Sequence, residues 1–317
     1  MKPYKRAVAL LLALCTLLTP VLCASAESDT AAPENAEAET AAPETVGPDF
    51  SGGLEAPLLD YIAKHNLDET NFGLGFYDTA TGTTYYYCEN EFRRAASMYK
   101  LPLNMIYTDW LAEGRRSLDD WVNGWNLDTA MHYSMVYSSN ETSLALVNGM
   151  LPDFGYDWNA AWGALARYSD LDADELPGSF VRENCMSPHL LLETLKVLYT
   201  NSEHYATVLE RMKQANAGHY LRFLYDDRYV IAQKYGALPE GNVNVAAVVY
   251  TPRPFLLVVF TRYALPSGEQ VLSDLRELCI QYAQYLQETN PNPVVMTARQ
   301  QLLGNVRSLV ARLRLSQ

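Results

Sequence analysis

The order of apolar and polar positions divides the chain into four stretches. Residues 7–18 form an unbroken apolar run, preceded by Lys2, Lys5 and Arg6 and followed by Ala24-Ser25-Ala26. A basic start, a short apolar segment and small residues at a cleavage position read as a secretory signal peptide over 1–26, and the run is too short for a membrane span. Residues 27–50 repeat Ala, Pro, Thr and Glu with acids and no base, which predicts a disordered acidic linker with nothing to bury. Patterned sequence occupies 51–290. An amphipathic helix is predicted over 54–67, and strands over 71–77 and 83–88 joined by a turn through Asp78-Thr79-Ala80-Thr81-Gly82. A helix is predicted from 97 to 113, and helical patterns continue to 214. Strands follow near 229–234, 243–250 and 255–262, and a helix over 268–288. Strands at both ends with helices between them imply a single sheet built from both termini, an α+β or α/β layered fold.

The fourth stretch, 291–317, spaces Leu302, Leu303, Val306, Leu309, Val310 and Leu313 at helical intervals among Arg299, Arg307, Arg312 and Arg314. It reads as a basic amphipathic C-terminal helix, either packed on the domain or touching a cell-wall or membrane surface.

Composition narrows the function classes. A chain of 317 residues that is 49% hydrophobic has material for a sizeable core. A net charge of −13, with no basic patch carrying interleaved aromatics, excludes nucleic acid as a partner. Beyond the signal segment stand Cys88, Cys185 and Cys279, an odd number that allows at most one internal disulfide and reads first as three packed thiols. The histidines, His65, His132, His189, His204 and His219, lack zinc-site spacing, so neither metal nor cofactor is expected. No Gly-x-Ser-x-Gly elbow is present.

Three short elements carry chemistry. In Ser97-Met98-Tyr99-Lys100 the hydroxyl and the amine share one face at a helix start, where free N–H groups favour a developing oxyanion. A buried lysine can lose its proton near neutrality and act as a base. Ser138-Ser139-Asn140 follows an apolar segment and precedes a helix. It supplies a second hydroxyl for proton relay and an amide to hold the lysine or a carbonyl, or it simply caps that helix. Lys234-Tyr235-Gly236-Ala237 stands at the end of an expected strand. It offers a cation for a substrate carboxylate, a glycine that admits a close backbone, and the Ala237 N–H as an oxyanion donor beside that of Ser97.

Serine-x-x-lysine, a serine-asparagine element and a lysine-x-glycine element, in this order, resemble the signature of class A β-lactamases and penicillin-binding proteins. The resemblance covers most of 54–290 and extends to Phe92-Arg93-Arg94-Ala95-Ala96 before the serine, to Glu113-Gly114-Arg115-Arg116-Ser117-Leu118-Asp119-Asp120 after the helix, and to Met186-Ser187-Pro188. It implies a three-layer α/β/α domain with an antiparallel sheet flanked by helices and a trimmed all-helical subdomain. It also implies a monomer with Ser97 as nucleophile, Lys100 as base and Ser138 as proton shuttle. Asn140, Lys234, Tyr235, Gly236 and Ala237 would then bind substrate, a β-lactam or a D-Ala-D-Ala-type peptide.

The chain departs from that signature in four places. Ser139 stands where class A enzymes have Asp, Tyr235 where they have Thr, and the interval from Ser97 to Ser138 is short. On the acidic loop 169–178, two alignments nominate different deacylation bases, Asp170 and Glu175. Three readings follow: an exported hydrolase that forms and hydrolyses an acyl-enzyme on Ser97, a peptidoglycan D-Ala-D-Ala peptidase with slow deacylation, and a catalytically dead cell-wall module.

Overall fold

A computed structural model describes residues 47–224, 226–264 and 267–290. The signal-peptide reading, most of the linker and the C-terminal helix reading for 291–317 lie outside the described residues. Phe50, the last residue of the expected linker, is buried against Tyr282 and Tyr285, with ring centroids 5.4 and 5.9 Å away.

The chain runs through α1 (Glu55–Lys64), β1 (Phe72–Asp78), β2 (Thr84–Tyr87), β3 (Arg93–Arg94) and α2 (Lys100–Ala112). A small hairpin, β4 (Trp121–Val122) and β5 (Trp125–Asn126), leads to α3 (Leu127–Val136), α4 (Asn140–Met150) and α5 (Trp158–Gly163). Then come α6 (Gly178–Glu183), β6 (Cys185–Met186), α7 (Pro188–Thr200) and α8 (Ala206–Gln214). The chain returns through β7 (Val230–Leu238), β8 (Asn242–Tyr250), β9 (Phe255–Thr261) and α9 (Gly268–Thr289).

The main sheet is antiparallel with strand order β2-β1-β9-β8-β7, so the terminal segments meet where β1 pairs with β9, as the layered reading expects. Its centre is covered on both faces. On β8, Ala246 and Val248 face one core while Val245, Ala247 and Val249 face the other. On β9, Leu256, Val258 and Phe260 face the first, and Phe255, Leu257 and Val259 the second. Two buried faces turn the usual alternation into continuous apolar runs. The second face is closed by α1 and α9, the latter through Val271, Leu272, Leu275, Cys279 and Ala283 at helical spacing. The first is closed by α7, which comes close because Gly75 has no side chain: a Cβ there would lie 3.2 Å from Leu192 Cδ2.

Two sequence expectations are corrected. The helix expected from residue 97 begins as a 3-10 turn, Ala96–Tyr99, and becomes α-helical only at Lys100. The strand expected to end at Lys234 continues to Leu238, paired with β8 through Leu238↔Asn242. Gly236 is a poor strand former, yet it is required there, because a Cβ would sit 2.7 Å from both Ala95 O and Ser97 N. Cys185 and Cys279 are buried and Cys88 half-buried, all three as free thiols. Among the described residues no helix is long and apolar enough to cross a membrane.

Candidate active site

The site is assembled where β7, the turn before α2 and the α3–α4 junction meet. The chain enters from β3 through Ala96, which takes φ +52°, a left-handed conformation that a non-glycine residue adopts only when its surroundings hold it. Here Asn184 holds it: its Nδ2 donates to Ala96 O at 2.6 Å, and its carbonyl accepts from Ala95 N at 2.9 Å. The bend carries Ser97, half-buried, onto the 3-10 turn, with its backbone N–H against Gly236 of β7. Asn244 on β8 completes the clamp by donating to Arg94 O at 2.8 Å.

Helix α2 is buried on nearly every side, so Lys100 at its start has no solvent exposure. Its Nζ donates to Ser138 O at 2.6 Å and Asn140 Oδ1 at 2.8 Å, and lies 3.3 Å from Ser138 Oγ. These three contacts all go to the α3–α4 junction and none to Ser97 Oγ. Ser138 occupies a left-handed turn, φ +55°, and Ser139 caps α4 by accepting from Thr142 N. The capping function and the second hydroxyl are thus divided between neighbouring serines. Lys234, also without exposure, donates to the same Ser138 Oγ at 3.0 Å and to Tyr235 O at 2.8 Å. The hydroxyl of Ser138 therefore sits between two lysine nitrogens.

Among the described residues no carboxylate pairs with either lysine. Burial lowers the Lys100 ammonium to about 7. Burial, with Lys100 nearby, holds Lys234 well below the usual lysine range. Tyr235 is buried, its hydroxyl donating to Val136 O at 3.3 Å and its ring stacked on Tyr220 at 4.4 Å. Asn140 and Ala237 reach the surface.

Ser97, Lys100, Ser138, Asn140, Lys234, Tyr235 and Gly236 are thus brought into one cluster, with Ala237 next along β7. The two acids nominated from the loop are engaged elsewhere. Asp170 is 2.6 Å from His189 Nε2 on α7, and that imidazole also meets Glu89. Glu175 accepts from Asp172 N at 2.6 Å in a local capping box. The segments flanking the loop are held by Trp162 Nε1 donating to Phe180 O at 2.9 Å and by Tyr168 donating to the buried Asp109 at 2.7 Å. Asp109 also takes Tyr205 and His204.

Sequence reasoning missed Asn184, Tyr220, Trp162 and Asp109. Their partners lie far away in the chain, and only the left-handed preference of asparagine offered a signal. A cavity of about 470 Å³ lies away from this cluster, lined by Arg93, Arg94, Asn242 and Arg262 among others and by none of the seven. No group of metal-ligating side chains occurs among the described residues.

Comparison with known proteins bears on the family and the fold. The model of the "Beta-lactamase enzyme family" matches residues 124–283, a span that includes Ser138 to Asn140 and Lys234 to Ala237 and starts after Ser97 and Lys100. Among solved structures, an ancestral class A β-lactamase is 18% identical with a TM-score of 0.59, aligned over 72% of this chain and 99% of its own. A β-lactamase from Burkholderia vietnamiensis is 18% identical with a TM-score of 0.58, over 73% and 96%. One from Sphaerobacter thermophilus is 20% identical with a TM-score of 0.58, over 75% and 99%. At such identity these structures speak for the fold: helices around an antiparallel sheet, as in class A β-lactamases. No curated protein matches the chain. The family model covers half of the sequence, the solved class A structures share the fold, and the chain belongs to the β-lactamase enzyme family.

Proposed function

We propose that the chain is an exported serine hydrolase that takes a β-lactam or a related amide onto Ser97 as an acyl-enzyme. The observation that carries this reading is the Lys100 amine. It is buried, has no carboxylate partner among the described residues, and is hydrogen-bonded to both Ser138 and Asn140. Neutral Lys100 accepts the Ser97 proton as Oγ bonds to the carbonyl carbon, and the C=O electron pair moves onto oxygen. The backbone N–H groups of Ser97 and Ala237 receive that oxyanion. Collapse restores the carbonyl and breaks the C–N bond. The leaving nitrogen takes its proton from the Lys100 ammonium through Ser138, which faces both lysines. Water then releases the acid from Ser97. With Asp170 on His189 and Glu175 in its capping box, Lys100 is the base left to activate that water, which makes deacylation the slow step.

The same engagement of Asp170 and Glu175 favours, as a second reading, a penicillin-binding-protein-like peptidase that deacylates slowly. Opening of a β-lactam ring, followed by loss of its ultraviolet absorbance, tests the acyl-enzyme that both readings share, and release of D-alanine from a D-Ala-D-Ala peptide marks the second. A fast first turnover followed by a slow steady phase is expected. Both phases should vanish in Ser97→Ala and Lys100→Ala. Unchanged ring opening by Ser97→Ala would overturn the proposal.

A further inference from the structure

A lysine in the position of Lys234 was expected to offer its charge to a substrate carboxylate, and the surroundings of Lys234 already engage its nitrogen. Its side chain is wholly buried. Its nitrogen donates to Ser138 Oγ at 3.0 Å and to Tyr235 O at 2.8 Å, and lies 4.0 Å from the centre of the Tyr235 ring. An ammonium has three donor directions, and two acceptors and an aromatic face use them all.

The ring that closes this seat is itself held from two sides. Tyr235 is 6% exposed. One contact is the stack on Tyr220, with planes 24° apart. Another is the hydroxyl bond to Val136 O, which spans from β7 to the end of α3, two residues before Ser138. Tyr220 is fixed in turn. Leu221 N donates to Gln233 Oε1 at 3.1 Å, and Gln233 Nε2 donates to Ala215 O at 3.1 Å, tying the segment 215–221 to β7. Threonine at position 235 would have neither the ring nor the reach to Val136.

We infer that Tyr235 is a specificity-determining residue that covers Lys234, so that the site takes amides or esters whose leaving group carries no carboxylate. The inference rests on acylation of Ser97 and narrows the substrates of that reaction.

Benzylpenicillin and its methyl ester differ at the carboxylate alone, which the ester replaces with a neutral group one methyl larger. The experiment measures the rate at which each adds to Ser97 by intact-protein mass spectrometry, in the wild-type protein, Tyr235→Thr and Tyr235→Phe. The wild type should be acylated by the ester at least as fast as by the acid. Tyr235→Thr should accelerate the acid about tenfold or more and the ester far less, the size expected when one charge-assisted hydrogen bond becomes available. Tyr235→Phe keeps the ring and should keep the wild-type preference. Faster acylation of the wild type by the acid would overturn the inference without any variant, and so would equal acceleration of both probes by Tyr235→Thr. Absence of any adduct with either probe in all three proteins would instead remove the acyl-enzyme reading itself.

Discussion

Lys100 and Lys234 share one hydroxyl, and among the described residues no acid pairs with either, so the protonation of the pair governs the site. Lys100 must be neutral to accept a proton from Ser97, and burial brings its ammonium to about 7. The acylation rate should therefore rise with pH through this value and level off above it, following a base that works only when deprotonated. Lys100→Arg substitutes a cation that does not deprotonate, and should lower acylation by about 10²–10⁴-fold at every pH. A wild-type rate independent of pH across that interval would argue against Lys100 as base. Gly236 sets a second single-residue demand. Its Cβ would meet Ala95 O and Ser97 N at 2.7 Å and Ala96 Cβ at 2.8 Å. Gly236→Ala should cost about 1–3 kcal/mol by overpacking and push Ser97 out of line, read as a lower melting temperature together with slower acylation.

Between elements, the position of the α3–α4 junction depends on a buried polar ladder. Asn104 Nδ2 donates to Lys100 O at 2.8 Å and to Ser134 Oγ at 3.1 Å. Ser134 Oγ meets Ser143 Oγ at 2.9 Å, and Ser143 donates to Ser139 O at 2.5 Å. The chain of bonds links α2 to α3 and to the start of α4, the elements that carry Lys100 and Ser138. Removing one rung leaves its neighbours buried without partners, at about 1–3 kcal/mol. Asn104→Ala and Ser143→Ala should each destabilise by that amount in chemical denaturation. The double variant should cost less than their sum, because both act on one network. Strict additivity would show that the rungs act separately. None of this ladder was legible in the sequence, where Asn104, Ser134 and Ser143 look like scattered helical polar residues. The helices themselves were legible: α9 ends within one residue of the span read from apolar spacing, while α1 starts within one residue of its span and stops three residues short.

At the scale of the molecule, the sheet and its closure were readable and the site was half readable. Strands at the two ends of the domain implied a shared sheet, and β1 does pair with β9. The short motifs marked Ser97, Lys100, Ser138 and Lys234. The cover over Lys234 was not readable, because the stack of Tyr220 on Tyr235 depends on how the segment before β7 folds back. Nor was the tethering of Asp170 to His189, a contact between a loop and a helix start.

Closure of the fold also depends on Arg253 and Asp78, a pair 2% exposed on each side, where Arg253 further donates to Leu286 O and Asn290 O at the end of α9. Burial raises the Asp78 carboxyl, but hydrogen bonds from Arg253, Thr81 and Ala80 together bring it below the usual value. The stability it contributes is present above the unfolded carboxyl value of about 3.9 and is lost as pH falls through the lower folded one. Arg253→Ala should cost about 3–5 kcal/mol by leaving that carboxylate buried and alone, and should move acid unfolding to higher pH. An unchanged acid midpoint would rule out this role for the pair.

The most direct test of the central claim is peptide mapping of the covalent adduct. The purified protein is incubated with benzylpenicillin methyl ester, quenched in acid, digested and sequenced by mass spectrometry. The expected result is the mass of the opened β-lactam on Ser97 in the wild type and no adduct in Ser97→Ala. A modification on another residue, or no modification under conditions where the protein is folded, would contradict it.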